Sequence, residues 1–171
     1  MNWIEFWRSK KPTWKRRPVA PAYVVLHHTA GPVNQAPQVI WDYHVKVRGW
    51  PHVGYHYLVY HDGTVVKMLP LSAQPICVGE HNHLAICIAL VGNFVGGYPP
   101  EWNERAPGWR SLVWLVRELR KNDSRLRLRL VRHKDLRPTQ CPGVVTWEEA
   151  LARGGVPQEQ VEMLKAAGVV V

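Results

Sequence analysis

Ala85-Ile86-Cys87-Ile88-Ala89-Leu90-Val91 runs seven residues without a charge. A short apolar run of this kind reads as a strand covered on both faces, the pattern of a sheet's middle rather than its edge. Gly96-Gly97-Tyr98-Pro99-Pro100 breaks it. Upstream, a second apolar strand covers about Ala22–His27 and is turned by Thr29-Ala30-Gly31-Pro32. Residues 35–47 then read as a helix with Asn34 at its N-cap, Ile40, Tyr43, His44 and Val47 on one stripe, and Gly49-Trp50-Pro51 at its end. Between His52 and Val66, two β-rich runs flank Asp62-Gly63, a strong hairpin signal. Pro70 to Gly79 reads as loop.

Downstream, residues 109–121 repeat at helical period, with Leu112, Leu115, Val116 and Leu119 inward. Arg125 to Arg132 alternates Arg and Leu, which predicts a strand with one wet face leading straight into His133. Two short helices, about 146–153 and 157–167, follow across Arg153-Gly154-Gly155. Strands interleaved with helices predict an α/β class: a single domain with a central mixed β-sheet flanked by helices.

The chain has 171 residues, 46% hydrophobic and 20% charged, which suits one folded domain. No run approaches membrane-spanning length, and the basic N-terminus lacks a following apolar segment, so no signal peptide is expected. Net charge is +9 and unevenly placed. Residues 1–20 hold Arg8, Lys10, Lys11, Lys15, Arg16 and Arg17 against Glu5, interleaved with Trp3, Phe6, Trp7 and Trp14. They are divided off as a basic, tryptophan-containing arm, with residues 21–171 as the main domain. Its tryptophans are expected to be exposed, and the mixture suits an anionic cell envelope. A second basic cluster runs through Arg117, Arg120, Lys121, Arg125, Arg127, Arg129, Arg132, Lys134 and Arg137. Charge alone would also suit nucleic acid.

The stretch His133-Lys134-Asp135-Leu136-Arg137-Pro138-Thr139-Gln140-Cys141-Pro142-Gly143 puts an imidazole and a thiol on one bent loop. Pro138 cannot continue a helix, so the loop can swing both side chains to one point. Both groups are good zinc ligands, and a catalytic zinc takes three protein ligands with one position open. His27, at the end of the first apolar run, is the candidate for the third. A nucleic-acid binder would leave these three unexplained, so no nucleic-acid partner is expected. Cys77 and Cys87, ten residues apart, are either two reduced core thiols or one bridge.

Six pieces carry a resemblance: Val25 to Ala30, Gly49 to Tyr57, Asp62-Gly63-Thr64, Val78 to His81, Ile86 to Phe94, and His133 to Gly143. In this order, and spanning roughly residues 22–145, they resemble the zinc-dependent N-acetylmuramoyl-L-alanine amidases, which include amidase-type phage lysozymes and peptidoglycan recognition proteins. The compact form is similar to endolysins of phages infecting heat-loving bacteria. The resemblance implies one zinc ion held by His27, His133 and Cys141. Tyr55 and Thr139 match catalytic positions. His44, Arg48 and His81 match groove positions that contact muropeptide. Ala89 stands where some bacterial members carry a glutamate base, and the segment between His81 and Ile86 is shorter than in relatives.

The implied reaction is hydrolysis of the amide joining N-acetylmuramic acid to L-alanine in peptidoglycan, with zinc lowering the pKa of its water from 15.7 to about 7. A non-catalytic peptidoglycan-binding module is the alternative, but such relatives typically lack the cysteine ligand. The expected protein is a monomer made in a host cytoplasm, acting on the cell wall and released through a holin or equivalent.

Overall fold

Every residue of Ala85–Leu90 is buried, and the strand it forms pairs in parallel on both sides. The structure, a computed structural model, describes residues 2–10, 13–121 and 128–171. In chain order its elements are β1 (Trp3–Glu5), α1 (Trp7–Lys10), β2 (Tyr23–His28), α2 (Pro37–Asp42), β3 (Tyr57–Val59), β4 (Val65–Lys67), β5 (Ala85–Leu90), α3 (Pro107–Lys121), β6 (Arg129–Arg132), α4 (His133–Leu136), α5 (Trp147–Arg153) and α6 (Gln158–Ala166). The sheet order is β1-β4-β3-β5-β2-β6. The hairpin β3–β4 is antiparallel and the other pairings are parallel, so the sheet is mixed, as expected from the interleaving of strands and helices.

Alternation along the strands builds two layers. Val24, Leu26, Ile86, Ile88 and Leu90 face α3, α5 and α6, where Leu112, Leu115, Val116, Leu119, Trp147 and Val161 pack against them. Val25, Cys87 and Val131 face the other way, as do Leu58, Val66 and Ala89 beneath Ile40 and Trp41 of α2. The helical layer is anchored by Trp102, Trp109 and Trp147, all fully buried. Each indole N–H finds a carbonyl: Val91, Asn103 and Val131 respectively, at 2.8, 2.9 and 2.9 Å.

Three sequence expectations shift. The helix expected over residues 35–47 starts later: Ala36, not Asn34, is the N-cap, and Pro37 takes the first turn, where its missing N–H costs nothing. From Tyr43 to Val47 the chain makes a π-helical turn, with the Arg48 N–H bonded to the Tyr43 carbonyl. His52 to His56 is irregular and only Tyr57–Val59 is strand. Residues 125–127 of the expected Arg/Leu strand lie outside the described residues, and the strand seen is Arg129–Arg132.

The basic N-terminal stretch is built into the same sheet. β1 adds an edge strand on β4, with Trp3 between Tyr57 and Trp114 and Trp7 edge-on to Trp14. Trp3 is exposed, as expected from sequence, whereas Trp7 and Trp14 are half-buried. Arg17 reaches inside. Its guanidinium donates to the carbonyls of Leu71 (2.8 Å), Ala85 (2.9 Å) and Ala73 (3.3 Å).

The tryptophan layer gives a direct check. Trp109→Ala should lower unfolding free energy by about 3–5 kcal/mol, read from the midpoint shift in urea.

Candidate active site

The pairing of β2 with β6 sets Leu26 against Arg132. One residue further on each chain stand His27, still within β2, and His133, the first residue of α4. Their rings lie 4.6 Å apart, centroid to centroid. The loop then bends. Arg137 is held extended before Pro138, the Lys134 N–H bonds the Cys141 carbonyl at 3.1 Å, and the Lys134 ammonium bonds the Gly143 carbonyl at 2.8 Å. Asp135 fastens the start of α4 by accepting from the Arg132 backbone N–H at 2.7 Å. Cys141 thereby returns to His27, with Sγ to Nδ1 at 3.6 Å.

These donors fit a metal. The ligand atoms of His27, His133 and Cys141 all lie within 4.8 Å of one another. Zinc bonds of 2.0–2.1 Å to nitrogen and 2.3 Å to sulfur, at a tetrahedral angle, put an N/S pair about 3.5 Å apart. His27 Nδ1, 3.6 Å from Cys141 Sγ, stands at that spacing. Burial, aided by the neighbouring His133 and His28, holds the His27 pKa well below its usual value; burial beside Arg137 lowers that of His133 to about 4. Both rings are therefore neutral and carry a free lone pair. Burial raises the Cys141 thiol to about 11, so a cation is needed to draw off its proton. The His28 N–H points to this sulfur at 3.4 Å, a donor that favours thiolate.

The site forms the floor of a cavity of ≈ 490 Å³ whose lining includes Tyr43, His44, Trp50, Tyr55, Thr139 and Gln140. Tyr55 stands 5.4 Å from the His27 ring and 5.3 Å from His44, centroid to centroid, and burial pushes its phenol upward in pKa. Thr139 accepts the Cys141 N–H at 3.2 Å through Oγ1, which leaves its own hydrogen free to donate. His44 stacks on Trp50 at 4.8 Å and accepts the Gly54 N–H through Nδ1. Of the expected groove residues, His44 lines the cavity. Arg48 is exposed and lies over Trp50 at 5.4 Å, outside the lining. His81 borders a different cavity with Glu80 and Arg137.

Residues missed in the sequence also matter. The His28 ring accepts the Phe94 N–H at 3.1 Å and so ties β2 to the loop after β5. Nothing but tertiary contact signals this. Trp50, by contrast, lay within a quoted motif. Cys77 and Cys87 form a disulfide, which closes the alternative left open by their count. The Cys141 loop rests on the Phe94 loop through Gly143, at φ +73°, where a Cβ would come 2.1 Å from the Phe94 carbonyl oxygen. Gly143→Ala should therefore cost about 1–3 kcal/mol and displace Cys141. Thermal unfolding together with bound-zinc stoichiometry would register both effects.

The comparisons with known proteins agree on one family. The endolysin Ph2119 from Thermus scotoductus MAT2119 bacteriophage Ph2119 is 49% identical, superposes with a TM-score of 0.84, and the match covers 91% of this chain and 100% of that one. The endolysin of Klebsiella phage KP32 is 28% identical over 128 residues, 75% of this chain and 83% of that protein. Peptidoglycan-recognition protein SC1a of Drosophila melanogaster is 28% identical over 137 residues, 75% of this chain and 71% of that protein. The family model described as Amidase_2, N-acetylmuramoyl-L-alanine amidase, matches residues 15–144, from just before Arg17 through the Cys141 loop. With that share of its length matched, this chain belongs to the N-acetylmuramoyl-L-alanine amidase family.

Proposed function

We propose that this peptidoglycan amidase hydrolyses the bond between N-acetylmuramic acid and L-alanine with one zinc ion held by His27, His133 and Cys141. The observation that carries the reading is the convergence of three neutral donors, with His27 Nδ1 3.6 Å from Cys141 Sγ, on the floor of an open groove. Zinc bound there would supply an activated water and polarise the scissile carbonyl. Tyr55 keeps its phenolic proton and through it donates a hydrogen bond to the oxygen on which charge develops. Thr139 adds a second donor beside it. His44, neutral with a pKa of about 4 and with Nδ1 already accepting, turns Nε2–H to the substrate. Arg48 and His81 contact longer muropeptides beyond the cavity. Ala89 is fully buried beside His27 and Leu58, so the central strand supplies no carboxylate base. The enzyme acts as a phage endolysin monomer on the cell wall, released through a holin or equivalent.

Digestion of purified peptidoglycan tests this, with products read by mass spectrometry. Stem peptides beginning with L-alanine should appear, vanish on chelation and return with zinc. Intact peptidoglycan that still pulls the protein down would favour the non-catalytic binding module instead. Cys141→Ser should lose bound zinc, whereas Tyr55→Phe should keep it and drop kcat by about 10²–10³.

Exposed Lys15 and Arg16 support a further role of the N-terminal stretch in drawing the enzyme to an anionic envelope. Removing residues 1–20 would also remove β1 and Arg17, so charge reversal is the cleaner probe. Lys15→Glu with Arg16→Glu should weaken binding to cells and its salt dependence while cleavage of soluble muropeptide stays unchanged.

A further inference from the structure

His27 belongs to two sets of potential ligands. The first is the set above. The second is His27 with Cys77 and Cys87, whose donor atoms also lie within 4.8 Å of one another, the two sulfurs because they are bonded and the histidine because it stands beside them. Cys77 lines the active-site cavity, and Cys87 faces His27's side of the sheet, opposite Val25 and two residues before Ala89. While the two sulfurs are bonded to each other they offer no thiolate, and a metal needs thiolates. Reduction would place two of them beside the one histidine that the catalytic set requires.

We propose that the reduced protein holds a second zinc site, made by His27, Cys77 and Cys87, which excludes the catalytic one. The inference rests on the zinc-amidase reading of the first site. Exclusion follows from the ring: a neutral imidazole has one lone pair, so His27 serves one ion at a time. Preference follows from the donors. Two cysteines and one histidine are a known zinc set with a position left open, and added soft thiolate strengthens zinc binding. His133 and Cys141 offer only one sulfur between them.

Oxidation reverses the choice. The Cys77 and Cys87 sulfurs give two electrons to a small-molecule disulfide, whose S–S bond breaks as the protein's forms. The reagent leaves as two thiols, taking up two protons from solvent. The zinc ion, deprived of both thiolates, is free to bind His27, His133 and Cys141. A chain made in a reducing compartment would thus carry its metal in an idle arrangement until it meets an oxidising one.

Cobalt(II) substitution of the full chain reads thiolate ligation through its sulfur-to-metal charge-transfer band. Oxidised protein should show a one-thiolate band and reduced protein a two-thiolate band. Cys141→Ser should show none when oxidised and a two-thiolate band when reduced. In that reduced variant, zinc should protect Cys77 and Cys87 from alkylation, counted by mass. Reduced wild type that keeps the oxidised spectrum, or reduced Cys141→Ser with neither band nor protection, overturns the proposal, including where reduction unfolds the chain. A missing band in oxidised wild type would instead remove the zinc reading of the catalytic set, and reduced Cys141→Ser would still decide the second site.

Discussion

The parallel alignment of β2 between β5 and β6 is the constraint on which the site depends. It puts the C-terminal ends of three strands side by side, the edge of an open α/β sheet where ligands characteristically bind. Register does the rest. Leu26 pairs with Arg132, so the next residues, His27 and His133, stand abreast, and Ala89 sits directly across from His27 on β5. Two of three donors are thus delivered by hydrogen-bonded backbone, the stiffest part of the molecule. Cys141 comes from a loop, and its position relies on Lys134, Gly143 and the Phe94 carbonyl instead.

Burial governs the chemistry of these groups more than charge does. The chain is strongly basic, yet its cavity floor is neutral, because removal from water disfavours imidazolium and thiolate alike. The same effect keeps the Tyr55 phenol protonated. His56 extends the pattern beneath the site. Its ring, held neutral at about 3, accepts the Cys87 N–H through Nδ1, so Nε2 carries the hydrogen and donates to the Ala73 carbonyl. Arg17 bonds the same Ala73 carbonyl, which joins the N-terminal segment to the strand that holds Cys87.

Much of this was legible before any coordinates. The uncharged run at β5, the Asp62-Gly63 hairpin and the amphipathic α3 are local patterns, decided by periodicity and turn chemistry within a few residues. The His133-to-Cys141 loop could be read as ligand-bearing because Pro138 forces a bend. Other features were not legible. The N-terminal stretch looks like a basic tail by composition, and only its pairing with β4 shows that it completes the sheet. The chain makes a π-helical turn over Tyr43–Val47, and Arg48 at its end lies over Trp50 outside the cavity that His44 lines. No side-chain pattern announces an extra residue in a turn.

The sequence by itself determined the residue types: which imidazoles and thiols exist, which segments must be buried, and where the chain bends. Propensity, alternation and proline geometry act locally, so these survive without tertiary information. Tertiary structure alone decided the spacing at which His27 and His133 meet Cys141, that Cys77 reaches Cys87 beside them, and that the Arg17 guanidinium is turned inward. Those contacts join residues from 10 to 114 positions apart, and strand register and loop docking, which no local preference encodes, bring them together.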